Sequence, residues 1–347
     1  MTLENSARFE NLLLKTREEP RMRSRSVLFA LTLILAPLRM LVGQEVQYPD
    51  LPKGITSFGA AVAGDWLYVY GGHFGQAHHY STAGQSNELS RVNLRKPKQW
   101  EVVAHGPKLQ GLAMVAYQGK LLRLGGFTAR NQEGEDHDLE SVAEVASFDP
   151  EKKRWEVLPA LPEPRSSFDA VIIGDLLYVA GGWQLDGQET TWRKTAWVMD
   201  LSKDVWKWKP LPTPPFQRRA LSLGHQAGRL FVIGGMQPDR KSTTRVDIYD
   251  AQSQTWSEGP ELAGEAMEGF GSAAFTVKDQ LFVSTLRGNV QRLSADASAW
   301  RTVHHLEEDR FFHRMLPYQD QLIFVGGASM EEGKRQRLET VVFTALK

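Results

Sequence analysis

Five apolar runs in this chain end in paired glycines. They are LYVYGG at Gly71-Gly72, LLRLGG at Gly125-Gly126, LLYVAGG at Gly181-Gly182, LFVIGG at Gly234-Gly235 and LIFVGG at Gly326-Gly327. A degenerate copy, LFVST, ends at Thr285. With the first residues of the pairs at 71, 125, 181, 234, 284 and 326, the steps are 54, 56, 53, 50 and 42 residues. A second signal keeps phase with the first. An apolar residue and then a small or polar one precede a Trp by seven or eight positions. The copies are Val92-Asn93 to Trp100, Phe148-Asp149 to Trp155, Met199-Asp200 to Trp206, Tyr249-Asp250 to Trp256 and Leu293-Ser294 to Trp300. A chain written this way is an array of similar units. No single unit buries its own apolar faces, and stacking neighbours does so.

Each period contains four strand-like pieces. In the third they are Ala170–Ile173, Leu176–Ala180, Ala196–Leu201 and Val205–Trp208. Short turns such as Gly64-Asp65, Gly119-Lys120 and Gly174-Asp175 join antiparallel strands. The glycine pair, the aromatic before a polar residue and the trailing Trp together resemble the Kelch repeat. The resemblance covers residues 45–347. It implies an all-β, six-bladed Kelch-type β-propeller. The last period ends without its Trp strand, while Val46–Pro52 (VQYPDLP) resembles Val157–Pro162 (VLPALP). The N-terminal stretch is therefore expected to supply the outer strand of the last blade and close the ring.

Residues 1–43 have a different character. Arg21, Arg23 and Arg25 precede an apolar run from Val27 to Leu38. That run suits a signal-peptide core and is short for a membrane span. Export to the periplasm or outside the cell is expected, with Met22 as an alternative start. An uncleaved signal segment would be the one route to membrane attachment. Residues 44–347 then form the propeller domain.

Composition removes several classes of function. Lys+Arg and Asp+Glu number 41 each, so a nucleic-acid footprint is not expected. There is no Cys, which excludes disulfides, thiolate chemistry and the Cys–Tyr cofactor of Kelch-type copper radical oxidases. His73, His78 and His79 lack metal-ligand spacing. Neither a phosphate loop nor a nucleophile elbow occurs. No cofactor or metal is expected.

The segments after the glycine pairs, His73–Glu88, Phe127–Ser141 and Trp183–Thr195, are long and variable. Strand alternation puts them on one face with the entries to the first strands. That face is the expected binding face. Sixteen residues before each pair stand Ile55, Leu109, Arg165, Arg218, Glu268 and Arg310. In Kelch substrate adaptors, Arg at this repeat position lines the binding face. The resemblance carries that role to Arg165, Arg218 and Arg310, as forks for an acidic group. The competing reading ties each Arg to a neighbouring loop. His73, Phe127 and Trp183 directly follow glycine pairs and are candidates for stacking on a sugar or anchoring a peptide. His313 is placed near the channel, and His225 reads as structural. The leading expectation is a non-catalytic module outside the cytoplasm that binds a protein or glycan ligand. The alternative comes from the bacterial sialic-acid mutarotases among exported Kelch proteins. There, Glu268 and His313 would transfer protons on an acidic sugar held by the arginines.

Overall fold

The computed structural model describes residues 47–319, 321–331 and 338–342. The expected export segment, with Met22, lies outside the described residues. Apolar residues that alternate along each run fold as antiparallel strands, and five four-stranded sheets follow in chain order. The first holds Gly59–Ala63, Trp66–Tyr70, Glu88–Asn93 and Glu101–His105. The second holds Ala113–Tyr117, Lys120–Leu124, Val145–Asp149 and Arg154–Leu158. The third holds Asp169–Ile173, Leu176–Ala180, Ala196–Asp200 and Trp208–Pro210. The fourth holds Ser222–Gln226, Arg229–Ile233, Val246–Asp250 and Thr255–Glu258. The fifth holds Ala273–Val277, Gln280–Ser284, Asn289–Leu293 and Trp300–His305. The sixth shows three strands among the described residues, Arg314–Tyr318, Gln321–Val325 and Leu338–Val342.

The first strands of successive sheets are neighbours, and that of the sixth sheet also neighbours that of the first. Just before each first strand, one residue takes a left-handed backbone: Ser57, Gly111, Ser167, Ala220, Gly271 and Phe312, with φ from 53° to 61°. Their peptide groups form a circuit. Gly111 donates to Ser57, Ser167 to Gly111, Ala220 to Ser167, Gly271 to Ala220 and Phe312 to Gly271, at 2.6–2.9 Å. Ser57 donates to Phe312 at 3.4 Å, the longest of the set, where the last sheet meets the first. Four of the six positions, Gly111, Ser167, Ala220 and Gly271, have a short partner at both N–H and C=O, and these bonds help offset the strained φ of the non-glycine members Ser167 and Ala220.

The glycine pairs serve close approach. A Cβ on Gly71 would stand 2.4 Å from the carbonyl oxygen of Leu109 in the next sheet. One on Gly72, whose φ is +94°, would stand 2.7 Å from Phe58 Cβ. Larger residues would push the sheets apart. The space between sheets is filled by side chains such as Tyr68, Tyr70, Leu89, Leu112 and Phe148, all buried. Each contributes about 1.5–3 kcal/mol through its burial.

The trailing tryptophans join sheet to sheet. Trp100, Trp208, Trp256 and Trp300 donate their indole N–H to the carbonyls of Pro49, Pro159, Pro212 and Pro260, at 2.8–3.1 Å. In the third sheet, Trp208 stands opposite Met199, as Trp155 does opposite Phe148 and Trp256 opposite Tyr249. The in-phase Trp there is therefore Trp208, not Trp206. A turn two residues longer shifts it, and Trp206 instead bonds the Leu201 carbonyl.

Pro49 occupies the place of Pro159, Pro212 and Pro260, as the resemblance of the two segments implied. Tyr48 donates to Gln321 Oε1 at 2.9 Å, and Leu51 packs in one cluster with Ile323 and Val325. Residues 47–52 nevertheless carry no strand ladder. The expected closing strand is, among the described residues, a packed segment held by side chains.

Candidate functional site

The long loops of the second and third sheets are not irregular. They form an additional four-stranded sheet, ordered Glu189–Trp192, Trp183–Gly187, Leu139–Ser141 and Phe127–Ala129. Phe127, Ala129, Leu139 and Leu185 make its small buried core, with Tyr80 and Trp183 packed against it. Ser141 Oγ accepts from the Leu185 N–H at 2.9 Å and bonds Ser166 Oγ, which fixes the sheet to the body below. No alternation strong enough to mark these short strands stands in the sequence.

This sheet flanks a cavity of about 420 Å³. Tyr80, Phe127 and Trp183 line it from the loops of the first three sheets, and Phe270 and Phe312 from the entries to the fifth and sixth. Arg219 also lines it. Its guanidinium carbon lies 4.1 Å from the Trp183 ring centroid and 5.9 Å from that of Trp192. One amine donates to Met236 Sδ at 3.2 Å, and Nε has no partner among the described residues. Burial, opposed by Tyr80, lowers its pKa from the ordinary arginine value. A half-buried cation stacked on an indole and lacking a carboxylate is a ready partner for an anionic group.

The three arginines expected on this face lie elsewhere. Arg165, Arg218 and Arg310 are 0, 2 and 3% exposed, and none lines the cavity. Arg165 donates to the carbonyls of Gly181 and Thr195, to Thr195 Oγ1 and to Glu163. Arg218 donates to the carbonyls of Gly234 and Arg245 and to Asp247. Arg310 donates to Gly326 O and to Glu339. Burial pulls the pKa of Arg165 and of Arg218 down to about 10. These side chains clamp the glycine pair of their own sheet to its third strand. The geometry matches the reading that ties each Arg to a neighbouring loop.

Glu268 is displaced for a different reason. The pair position in the fifth sheet is Thr285, whose N–H accepts the role played by Gly71 and Gly234 at the loop base. The residue sixteen earlier is Gly269, whose carbonyl receives the Gly235 N–H as that of Arg218 receives Gly182. Glu268 belongs to a short 3-10 helix, Ala266–Gly269, faces Arg287 at 3.5 Å and does not line the cavity. The acid–base pair expected of a mutarotase is not assembled around the cavity.

His73, Phe127 and Trp183 share one repeat position, each bridged to the residue before a circuit residue: Thr56, Gln110 and Ser166. Phe127 and Trp183 reach the cavity, whereas His73 is buried beneath its loop with Nε2 3.2 Å from the His79 carbonyl. His313 lines the cavity wall at the position held elsewhere by Phe58, Leu112, Phe168, Leu221 and Ser272. Among the described residues neither ring nitrogen has a partner, and burial holds its pKa well below 6.5. Because the folded pKa is depressed, stability is full above about pH 6.5 and falls as the pH drops below it. His313→Phe is expected to add about 1 kcal/mol at neutral pH and to flatten this acid limb. Thermal unfolding between pH 8 and pH 5 checks it, and an unchanged acid limb would count against the assignment.

Arg219 and Arg314 escaped the sequence reading. Arg219 sits one residue past Arg218, at the repeat position of Thr56, Gln110, Ser166 and Phe311, where no aligned arginine marks it. Arg314 lines both this cavity and a second one of about 290 Å³ along the first strands, where His225 also lies.

The family profile described as the KLHDC2/KLHL20/DRC7 Kelch-repeats domain matches residues 111–327. Kelch-like protein 35 of Mus musculus is 27% identical over 216 residues, 62% of this chain and 32% of that protein. Kelch-like protein terF of Aspergillus terreus is 24% identical over 245 residues, 67% of this chain and 50% of that protein. Beta-scruin of Limulus polyphemus is 24% identical over 235 residues, 66% and 24% respectively. The chain thus spans half or less of the length of these relatives. The solved structure of YjhT superposes with a TM-score of 0.67 at 15% identity, over 85% of this chain and 96% of that one. That likeness shows the fold alone, a Kelch-type β-propeller. The profile match runs through more than half of the residues, and the chain belongs to the Kelch-repeat family.

Proposed function

We propose that the chain is a Kelch-repeat binding module for a protein ligand, held at the cavity beneath the additional sheet. The observation that carries this is Arg219: a cavity-lining cation stacked on Trp183, with no carboxylate partner among the described residues. The aromatic walls suit side chains of a peptide, and the guanidinium suits an acidic one. The relatives are Kelch-like proteins, which favours a binding role over catalysis. The same proposal has six blades, closed by residues 47–52 docking on the sixth sheet, which the peptide circuit and the Trp100–Pro49 bond support. It also places the protein outside the cytoplasm, on the strength of the Arg21–Leu38 pattern. Fusing residues 1–43 to a reporter tests that placement, and a reporter retained in the cytoplasm would end it.

The binding test uses displayed random linear peptides selected on the purified chain. Enrichment in Asp and Glu is expected. Arg219→Ala should weaken the selected peptides by about 10–100-fold, the worth of a charged hydrogen bond, and leave the melting temperature almost unchanged. Peptides that bind Arg219→Ala and Trp183→Ala as well as the native chain would overturn the reading.

A further inference from the structure

The additional sheet has two outer edges, and they are treated differently. On the Phe127–Ala129 edge, the Gln85 amide stands in for a neighbouring strand. Its Oε1 accepts from the Ala129 N–H at 2.9 Å and its Nε2 donates to the Ala129 carbonyl at 3.1 Å. The Glu189–Trp192 edge has no such cover. Its register places Asp186 opposite Glu189 across the Gly187-Gln188 turn, and Leu185 opposite Thr190. Outward groups alternate along an antiparallel strand, so the N–H and C=O of Thr190 face away from the sheet. Neither has a hydrogen-bond partner among the described residues. The Trp192 carbonyl, next in the outward set, accepts from Gln217 Nε2 at 3.3 Å. The edge carries no Pro, no Lys and no bulge, the usual protections of an exposed strand. Thr190 also lines the cavity beside Trp183 and Arg219.

We infer that a partner protein adds an extended strand to the Glu189–Trp192 edge, with an acidic side chain of that strand turned into the cavity toward Arg219. This rests on the protein-binding reading above and specifies its mode. Main-chain bonds to Thr190 supply register, and the alternation of the added strand brings every second side chain to the cavity. Charge selects the occupant: Arg219 is unpaired by any carboxylate among the described residues, and Arg240 adds to the positive potential there.

The probe is a peptide from the displayed library, synthesised with one backbone N-methyl group at each position in turn. Strand addition requires an alternating pattern, in which N-methylation at every second residue weakens binding by about tenfold or more. Thr190→Pro removes the outward N–H at a position where an edge strand tolerates Pro. It should weaken binding similarly, and Thr190→Ala should not. Thermal unfolding of Thr190→Pro confirms that the fold is intact, and the N-methyl series on the unaltered chain stands independently of it. If Arg219→Ala abolishes binding while no N-methyl position and not Thr190→Pro affects it, strand addition is wrong and the cavity reading stands. If no peptide depends on Arg219, both fall.

Discussion

Arg218→Ala is expected to cost the fold about 3–5 kcal/mol at neutral pH, the range for removing one partner of a buried ion pair. Arg218 and Asp247 are both almost fully buried, and the guanidinium also satisfies the carbonyls of Gly234 and Arg245. Without it, two carbonyls and one carboxylate lose their donor. Burial already raises the Asp247 pKa, with Arg218 opposing that rise. In the variant burial is opposed only by Arg245, so the folded pKa moves further above the unfolded one. The folded variant then binds a proton more tightly than the unfolded chain. Its penalty is full above the folded pKa and fades as the pH falls toward the unfolded value. The gap between native and variant melting temperatures should therefore narrow from pH 8 to pH 5. Arg218→Met with Asp247→Leu should recover much of the loss, because a buried pair replaced by apolar groups is often neutral. A gap that widens on acidification would contradict the pairing.

Arg314→Leu is expected to be the second most damaging change, at about 3 kcal/mol. Circuit arithmetic puts the third and sixth sheets three steps apart among six. Arg314 and Asp169 open the first strands of those two sheets, and they meet at 3.0 Å. Arg314 also donates to the carbonyls of Phe58 and Leu112, at 3.2 and 3.0 Å. Asp169 Oδ2 receives the Leu223 N–H at 2.9 Å. Five of the six sheets thus converge on one ion pair, which separates nothing in sequence by fewer than 50 residues. Leucine would leave Asp169 without its cation and two carbonyls without donors. Asp169→Asn keeps an acceptor and should cost less, about 1–2 kcal/mol. Urea unfolding reads both. A lower midpoint with an unchanged slope is expected, and an Arg314→Leu midpoint equal to the native one would show the bridge to be incidental.

The repeat was legible because it rests on residue types with few substitutes. Gly71 and Gly72 must be glycine where a neighbouring backbone or aromatic comes within van der Waals range. A Trp that bonds a proline carbonyl of the adjoining sheet leaves a mark of its own. Register within a degenerate unit was not legible. The fifth sheet has Thr285 where others have glycine, and counting from Ser284 selected Glu268 in place of Gly269. An aligned ring of arginines looked like a ligand fork because sequence spacing reports which residues are equivalent, not which way a side chain turns. Arg165, Arg218 and Arg310 turn inward because the glycine-pair carbonyls need donors there. The additional sheet was hidden for a related reason. Its strands are three to five residues long and pair across loops of different sheets, so no local periodicity announces them. Arg314 and Asp169 were visible as letters, but their pairing depends on the circuit having six members.

Amide hydrogen exchange of the full chain, with and without a selected acidic peptide, tests the placement of the binding face most directly. Bound peptide should slow exchange at Thr190 and Trp192, in the segment around Trp183 and around Arg219. The turns at Gly64-Asp65, Gln118-Gly119 and Gly174-Asp175 on the other face should be unaffected. Protection confined to those turns, with the Trp183–Trp192 hairpin unchanged, would contradict the account.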